Sequence, residues 1–229
     1  MKISKNIYLK IFKYKPVEKK LSKFLKNLLN DKNQILISLT KFYKNSYNKK
    51  LIFKFKKYSK INLIGMGGSS LGARSIYFFL KNKIKKEFRF FDNLSFQNKL
   101  IKSEKKVLNL IISKSGNTLE TITNFNTLRN YKDSIFLTEN KENYLREIAS
   151  EMKKEIFEHQ DYIGGRYSVL SEVGMLPAEL MGLNTNNFKQ LNVLIKNKKF
   201  FDSLVNNVAS IFFLIKKKRY NSVIINYDE

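Results

Sequence analysis

Apolar positions fall into two regimes along the chain. Between residues 1 and 57 they recur at helical spacing among lysines. The most regular part is "VEKKLSKFLKNLLN", where Val17, Leu21, Phe24, Leu25, Leu28 and Leu29 share one side. From residue 61 short dense apolar runs alternate with longer stretches of helical period. "INLIG" (61–65), "EFRFFD" (87–92), "KVLNLIIS" (106–113), "DSIFLTE" (133–139) and "KEIFE" (154–158) predict strands. "LGARSIYFFLKN" (71–82), "SFQNKLIKSE" (95–104), "TLETITNFNTLRN" (118–130) and "ENYLREIASEMK" (142–153) predict helices between them. In the third of these, Leu119, Ile122, Phe125 and Leu128 lie on one side. Connections this short fit an α/β fold, a doubly wound and mostly parallel sheet flanked by helices. Ligands of such sheets bind outside the carboxyl ends of the strands.

Past residue 164 the alternation stops. "GGRYSVLSEVGMLPAELMGLN" predicts a glycine-marked loop leading into an apolar helix that holds Pro177. "NTNNFKQLNVLIKNKKF" and "FDSLVNNVASIFFLIKKKR" predict two more helices, and "NSVIINY" (221–227) a buried strand. The expected organisation is a helical lead-in over 1–57, a sheet domain over 58–163, a loop with linker helices over 164–220, and the first strand of an incomplete second domain over 221–229. A lone apolar strand leaves its edges uncovered, which predicts that the chain is a truncated piece.

Composition changes this picture little. The 229 residues are 43% hydrophobic, enough for a sizeable core. No cysteine is present, which suits a reducing, cytoplasmic setting. No continuous apolar signal segment and no run of about 18 apolar residues appears, so no membrane partner is expected. The net charge of +25 raises nucleic-acid binding. The lysines are scattered, however, and accompany the Asn, Ile, Phe and Tyr of AT-rich coding. No nucleic-acid partner is therefore expected, and the remaining effect is a field that draws small anions.

Three stretches carry candidate chemistry. "GMGGSSLG" (65–72) joins a strand to a helix and exposes backbone N–H groups where the helix dipole favours an anion. Ser69 and Ser70 can cap that helix or donate to a guest. A dinucleotide fingerprint would need glycine at 70, where serine stands, though Asp92 lies near the position of its acid, so that reading stays open. A tight turn without a ligand is the other alternative. "SKSGNTLET" (113–121) repeats the design with Ser113, Ser115 and Thr118, a nearby Lys114 and a permissive Gly116. Its bland reading is Thr118 as a simple N-cap; the capping box fails because Thr121 stands where Glu or Gln belongs. "GGRYS" (164–168) sets Arg166 on a backbone without bulk, where it can stabilise an oxyanion or merely face solvent. The single histidine, His159, reads as a structural or surface residue.

Together and in order, these stretches resemble the phosphoglucose isomerase family of the sugar isomerase domain superfamily. "GMGGSSLG" is similar to its first phosphate-side loop, "SKSGNTLET" to its S-K-[ST]-x-x-T-x-E-T segment, and "GGRYSVLSEVGMLPAEL" to its G-G-R-[FY]-S signature. The resemblance covers roughly residues 60–185 well. It implies a first sugar isomerase domain followed by the start of a second. It also implies interconversion of glucose 6-phosphate and fructose 6-phosphate through a cis-enediol, with no metal or redox cofactor, in a homodimer. The implied substrate contacts are Gly67, Gly68, Ser69, Ser113, Lys114, Ser115, Thr118, Glu120, Gly165 and Arg166. Ser69, Ser113, Ser115 and Thr118, with backbone from Gly68 and Lys114, hold the phosphate; Glu120 lies near the reacting end of the sugar, and Arg166 is the catalytic residue that stabilises the enediolate. The family's base glutamate in an E-S-x-G-K-like segment, its ring-opening histidine and its late lysine have no match in these residues, and His159 does not match the family's histidine. The chain is accordingly expected to bind sugar phosphate weakly at best and not to turn it over. Mannose 6-phosphate as a second substrate, and a non-catalytic sugar-phosphate-binding module, are the alternatives.

Overall fold

A computed structural model describes residues 19–31, 33–94, 106–128, 131–219 and 221. In chain order the elements are α1 (Lys19–Asn30), α2 (Gln34–Ser38), α3 (Lys49–Phe53), β1 (Lys60–Ile64), α4 (Gly68–Phe79), β2 (Glu87–Phe91), β3 (Val107–Ile112), α5 (Leu119–Asn126), β4 (Ser134–Glu139), α6 (Tyr144–Glu151), β5 (Glu155–His159), α7 (Glu172–Leu180), α8 (Leu191–Lys196) and α9 (Lys198–Lys216). Short 3-10 turns occupy Lys81–Lys83, Gly165–Leu170 and Thr185–Asn187.

The five strands form one parallel sheet in the order β2-β1-β3-β4-β5. Strand positions alternate between two buried faces, because successive side chains point to opposite sides. On one face Ile61, Leu63, Leu108, Leu110, Ile112, Ile135 and Leu137 meet Ala73, Ile76 and Tyr77 of α4 and Val173, Leu176 and Leu180 of α7. On the other, Ile64, Ile111 and Phe136 meet Phe125, Leu128, Leu145 and Ala149 near and within α5 and α6. Burial on both faces is why these strands read as continuous apolar runs. A buried polar pair, Asn62 and Asn109, stands at matched register on β1 and β3, with Asn62 Nδ2 donating to Asn109 Oδ1 at 2.9 Å.

The doubly wound sheet agrees with the expectation from sequence. The compact unit around it is larger than the expected 58–163, running from Ile37 to Lys189. The cause is packing: Tyr47, Ile52 and Tyr58 before the sheet, and all of α7 after it, belong to the same core. A second unit takes the described residues up to Leu36 and from Gln190 onward. In it α1 and α8 each pack on α9. The predicted helix over 184–200 is broken at Asn197, whose side chain accepts from the Phe200 amide at 3.2 Å and starts α9 early. The predicted helix over 95–104 and strand over 221–227 lie outside the described residues, Asn221 apart.

Glu172 ties the additions to the sheet. It is fully buried at the first turn of α7. Its Oε1 accepts from Tyr43 Oη at 2.5 Å and from the Ser46 amide at 3.0 Å. Burial first, then this contact, pushes the Tyr43 phenol up. His159 ends β5, also buried, with Nδ1 at 3.9 Å from Glu172 Oε2. That is too far for a hydrogen bond, so the nearby carboxylate does not offset the loss of water. Burial, with the Lys114 charge behind it, instead holds the imidazole down at about 4.

A folded-state value below the ordinary 6.5 means that stability is complete above pH 6.5 and lost as pH falls toward 4. The loss is about 1.4 kcal/mol per pH unit at most. Thermal melts between pH 7.5 and 4.5 should show this decline in the native chain and a shallower one in His159→Gln. Equal slopes would show that His159 is not held neutral.

Candidate active site

The order of the sheet reverses at β1, which has β2 on one side and β3 on the other. A crevice opens at such a switch point, outside the strands' carboxyl ends. The loops that follow β1 and β3 are therefore neighbours, and they are two of the three stretches singled out from sequence. Their approach is close: a Cβ on Gly65 would lie 2.7 Å from the Ile112 carbonyl oxygen.

In the first loop Gly67 takes the left-handed φ of +55° and α4 starts at Gly68, earlier than expected, so the glycines form its first turn. Ser69 is half-buried on that turn. Ser70 is not available to a guest, as its buried hydroxyl donates back to the Gly67 carbonyl at 3.3 Å. Asp92, the acid of the dinucleotide alternative, is paired with Arg74 at 2.8 Å.

The second loop gathers hydroxyls. Ser113 Oγ lies 2.9 Å from Thr118 Oγ1, and Ser115 Oγ lies 3.5 Å from the same atom. Thr118 precedes α5 but makes no side-chain cap; its hydroxyl belongs to this cluster, which sets the N-cap reading aside. The amides of Gly116 and Asn117 turn toward Ser113 Oγ and Ser115 Oγ, at 3.2 and 3.3 Å. Behind the loop stands the start of α6. Asn143 caps that helix through the Arg146 amide at 3.0 Å, Asn117 Oδ1 accepts from the Tyr144 amide at 3.0 Å, and the Leu145 amide donates to the Gly116 carbonyl at 3.2 Å. Gly116 has φ +66°, and a Cβ there would sit 1.8 Å from Asn143 Oδ1. Lys114 turns outward, its ammonium donating to the Asp161 carbonyl and its own carbonyl accepting from Thr138 Oγ1 at 3.2 Å. It lends charge to the loop from the side. Glu120 is half-buried in the first turn of α5.

The third stretch folds as the 3-10 turn Gly165–Leu170 and crosses the start of α4. A Cβ on Gly68 would meet the Gly165 Cα at 2.6 Å, so the two backbones touch without side chains between them. Ser168 Oγ bridges the pair, 3.2 Å from the Gly68 carbonyl and 2.8 Å from that of Gly165. Val169 then wedges between two further glycines: a Cβ on Gly72 would lie 2.9 Å from its Cγ2, and one on Gly174 would lie 1.9 Å from its carbonyl oxygen. Arg166 emerges from this clamp exposed, beside a groove lined by Gly68, Gly72 and Ser168. No carboxylate among the described residues pairs with it.

The arrangement thus joins two helix N-termini, three converging hydroxyls and an unpaired guanidinium around one switch point. It suits an anion that carries several oxygens. The roles of Ser168 and Asn143 were not read from sequence. Gly68 and Gly72, four apart on one helix face, are the signal that a second chain segment crosses α4 closely.

Gly116→Ala should cost about 3 kcal/mol, from positive φ and the clash with Asn143 together. Gly67→Ala, with nothing within 4 Å of its Cβ, should cost only about 1 kcal/mol of backbone strain. Denaturant unfolding of both variants checks the difference, and adding Asn143→Ala should recover part of the first loss.

Comparison with known proteins identifies the family of the chain. The family model for phosphoglucose isomerase matches residues 26–222. The glucose-6-phosphate isomerase of Fusobacterium nucleatum is 30% identical over 220 residues, covering 80% of this chain and 49% of that protein. That of Methanocaldococcus jannaschii is 30% identical over 190 residues, covering 75% and 46%. The chain spans about half the length of these curated relatives. The fold is shared with the crystal structure of a hypothetical protein from Thermus thermophilus, at a TM-score of 0.63 and 20% identity, over 85% of this chain and 52% of that one. With the match spanning the strand-end loops and the arginine clamp alike, the chain belongs to the phosphoglucose isomerase family.

Proposed function

We propose that this chain is the sugar-phosphate-binding half of an aldose–ketose isomerase that interconverts glucose 6-phosphate and fructose 6-phosphate. The observations that carry this reading are the hydroxyl cluster of Ser113, Ser115 and Thr118 after β3 and the glycine clamp that presents Arg166 at the start of α4, after the neighbouring β1. The hydroxyls, with Ser69 and the helix amides around Gly67 and Gly68, take the phosphate. Hydrogen bonds to a charged group stabilise by about 1.5–3 kcal/mol each. Arg166 faces the sugar. When a proton leaves C2, negative charge spreads onto the enediolate oxygens, and a fixed guanidinium stabilises that charge more than the neutral sugar. Its closeness also guards the enediolate against stray protonation. Gly165 lines the groove beside Arg166, and Glu120 takes the reacting end of the sugar.

A base of suitable placement is required to move the proton between C2 and C1. No segment of these 229 residues resembles the family's base glutamate, ring-opening histidine or late lysine. His159 is buried behind the Lys114 loop, held neutral, and cannot serve. The chain by itself therefore binds and does not turn over, and the complete enzyme works as a homodimer. No helix among the described residues is long and apolar enough to cross a membrane, and the +25 charge serves to attract anionic substrate.

Calorimetric titration of the 229-residue chain with glucose 6-phosphate tests this. Ser113→Ala/Ser115→Ala/Thr118→Ala should weaken binding at least about tenfold, with the far-ultraviolet circular dichroism unchanged. A coupled assay should find no turnover of glucose 6-phosphate or mannose 6-phosphate. Unaltered binding by the triple variant would overturn the site, and turnover above that of the Arg166→Met chain would overturn the division of labour.

A further inference from the structure

A second concavity of the sheet unit shares no residue with the strand-end loops. It lies where the segment after α2 and the first turn of α3 meet the turn that follows α7. Its floor holds Tyr43, Tyr47, Thr185 and Lys189, all buried, and its rim holds Lys41, Lys44 and Lys49, all exposed. Lysine is common in this chain, so rim lysines alone say little. Lys189 is different: it is 7% exposed, and an ammonium so buried is costly unless it is partnered. Its Nζ donates to Asn45 Oδ1 at 3.0 Å and to the Tyr43 carbonyl at 3.4 Å, and stands 4.2 Å over the Tyr43 ring. None of these partners carries a charge.

The carboxylates nearby are already engaged. Glu179 takes Lys49 at 3.3 Å and Thr185 Oγ1 at 2.9 Å, and Glu172 is bound by Tyr43 and Ser46. Four lysines over two carboxylates leave positive charge uncompensated in a concave, partly dry space. Neither Lys41 nor Lys44 has a carboxylate partner among the described residues. The aromatic groups are also spoken for. Lys189 covers the Tyr43 ring, and Tyr47 packs edge-on against Phe157 while its hydroxyl accepts from Asn45 Nδ2 at 3.0 Å. No open ring face remains to stack a base.

We propose that this pocket is an accessory binding site for linked phosphates, held by Lys189 at the floor and Lys41 and Lys44 at the rim. The ligand is recognised through its phosphate oxygens, whether as free pyrophosphate or as the tail of a nucleotide. Burial, opposed by Glu172 and assisted by Lys49, lowers the Lys189 ammonium to about 8. A bound polyanion favours the charged form, so binding takes up protons and weakens as pH rises through 8.

The test is titration of the 229-residue chain with pyrophosphate and with ADP at pH 7 and 9. Lys41→Glu/Lys44→Glu, which changes only exposed residues, should weaken pyrophosphate binding at least tenfold. Lys83→Glu/Lys85→Glu, an equal charge change on another exposed stretch of the same unit, should change it less than twofold. Lys189→Met should abolish the loss of affinity between pH 7 and 9, its folding checked by thermal melt. Equal affinity for ADP and pyrophosphate assigns the site to the free anion, and tighter ADP binding that the rim variant also weakens assigns it to a nucleotide tail. Equal weakening by both lysine pairs would reduce the effect to general attraction and overturn the site, as would full pyrophosphate affinity in the rim variant.

Discussion

The contact on which the site depends is the one between two bare backbones, Gly68 against Gly165. An arginine on a surface loop is ordinarily a mobile solvated charge. Here its own turn lies on the first turn of α4, locked by Ser168 bridging both carbonyls and by Val169 seated between Gly72 and Gly174. A side chain at Gly68, Gly72 or Gly174 would push the segment outward by more than the slack of a packed interior allows. The backbone that carries Arg166 is thus held by steric exclusion, and no carboxylate among the described residues pairs with its guanidinium.

The hydroxyl loop is held by other means. Its close approach to α6 is made of hydrogen bonds: Asn117 Oδ1 accepts from the Tyr144 amide and the Gly116 carbonyl from the Leu145 amide, while Asn143 caps α6 from within. The result is a second rigid platform, adjacent to the first only because the sheet order places β3 beside β1. Preorganised dipoles of this kind cost no rearrangement when charge develops on a ligand. Rigid placement of an anion's binding groups is what the proposed sugar-phosphate site requires of these two loops.

Buried charge forms the third organising feature. Glu172 is fully buried at the start of α7, where Tyr43 and the Ser46 amide donate to its Oε1. Those bonds carry the chain before the sheet onto the end of β5 and the start of α7. They explain why the compact unit begins at Ile37 and ends at Lys189, rather than at the limits of the strands. Lys189 closes the same region from the other side, borrowing the face of Tyr43.

Periodicity by itself determined the parallel sheet, because strands buried on both faces leave continuous apolar runs such as "VLNLII" that little else produces. Local composition also marked the two strand-end loops, where glycine and hydroxyl residues gather. Order along the chain could not say that Gly68 meets the distant Gly165, or that Thr118 turns from its helix to Ser113. It could not show that Ser70 faces inward, or that a glutamate in "SEVGMLPAEL" fastens Tyr43 from the far side of the sheet's sequence. Those outcomes depend on which backbone groups find partners once the layers have packed. Only the tertiary structure decided them, because burial makes an unpaired polar group or an extra Cβ costly in one place and harmless in another.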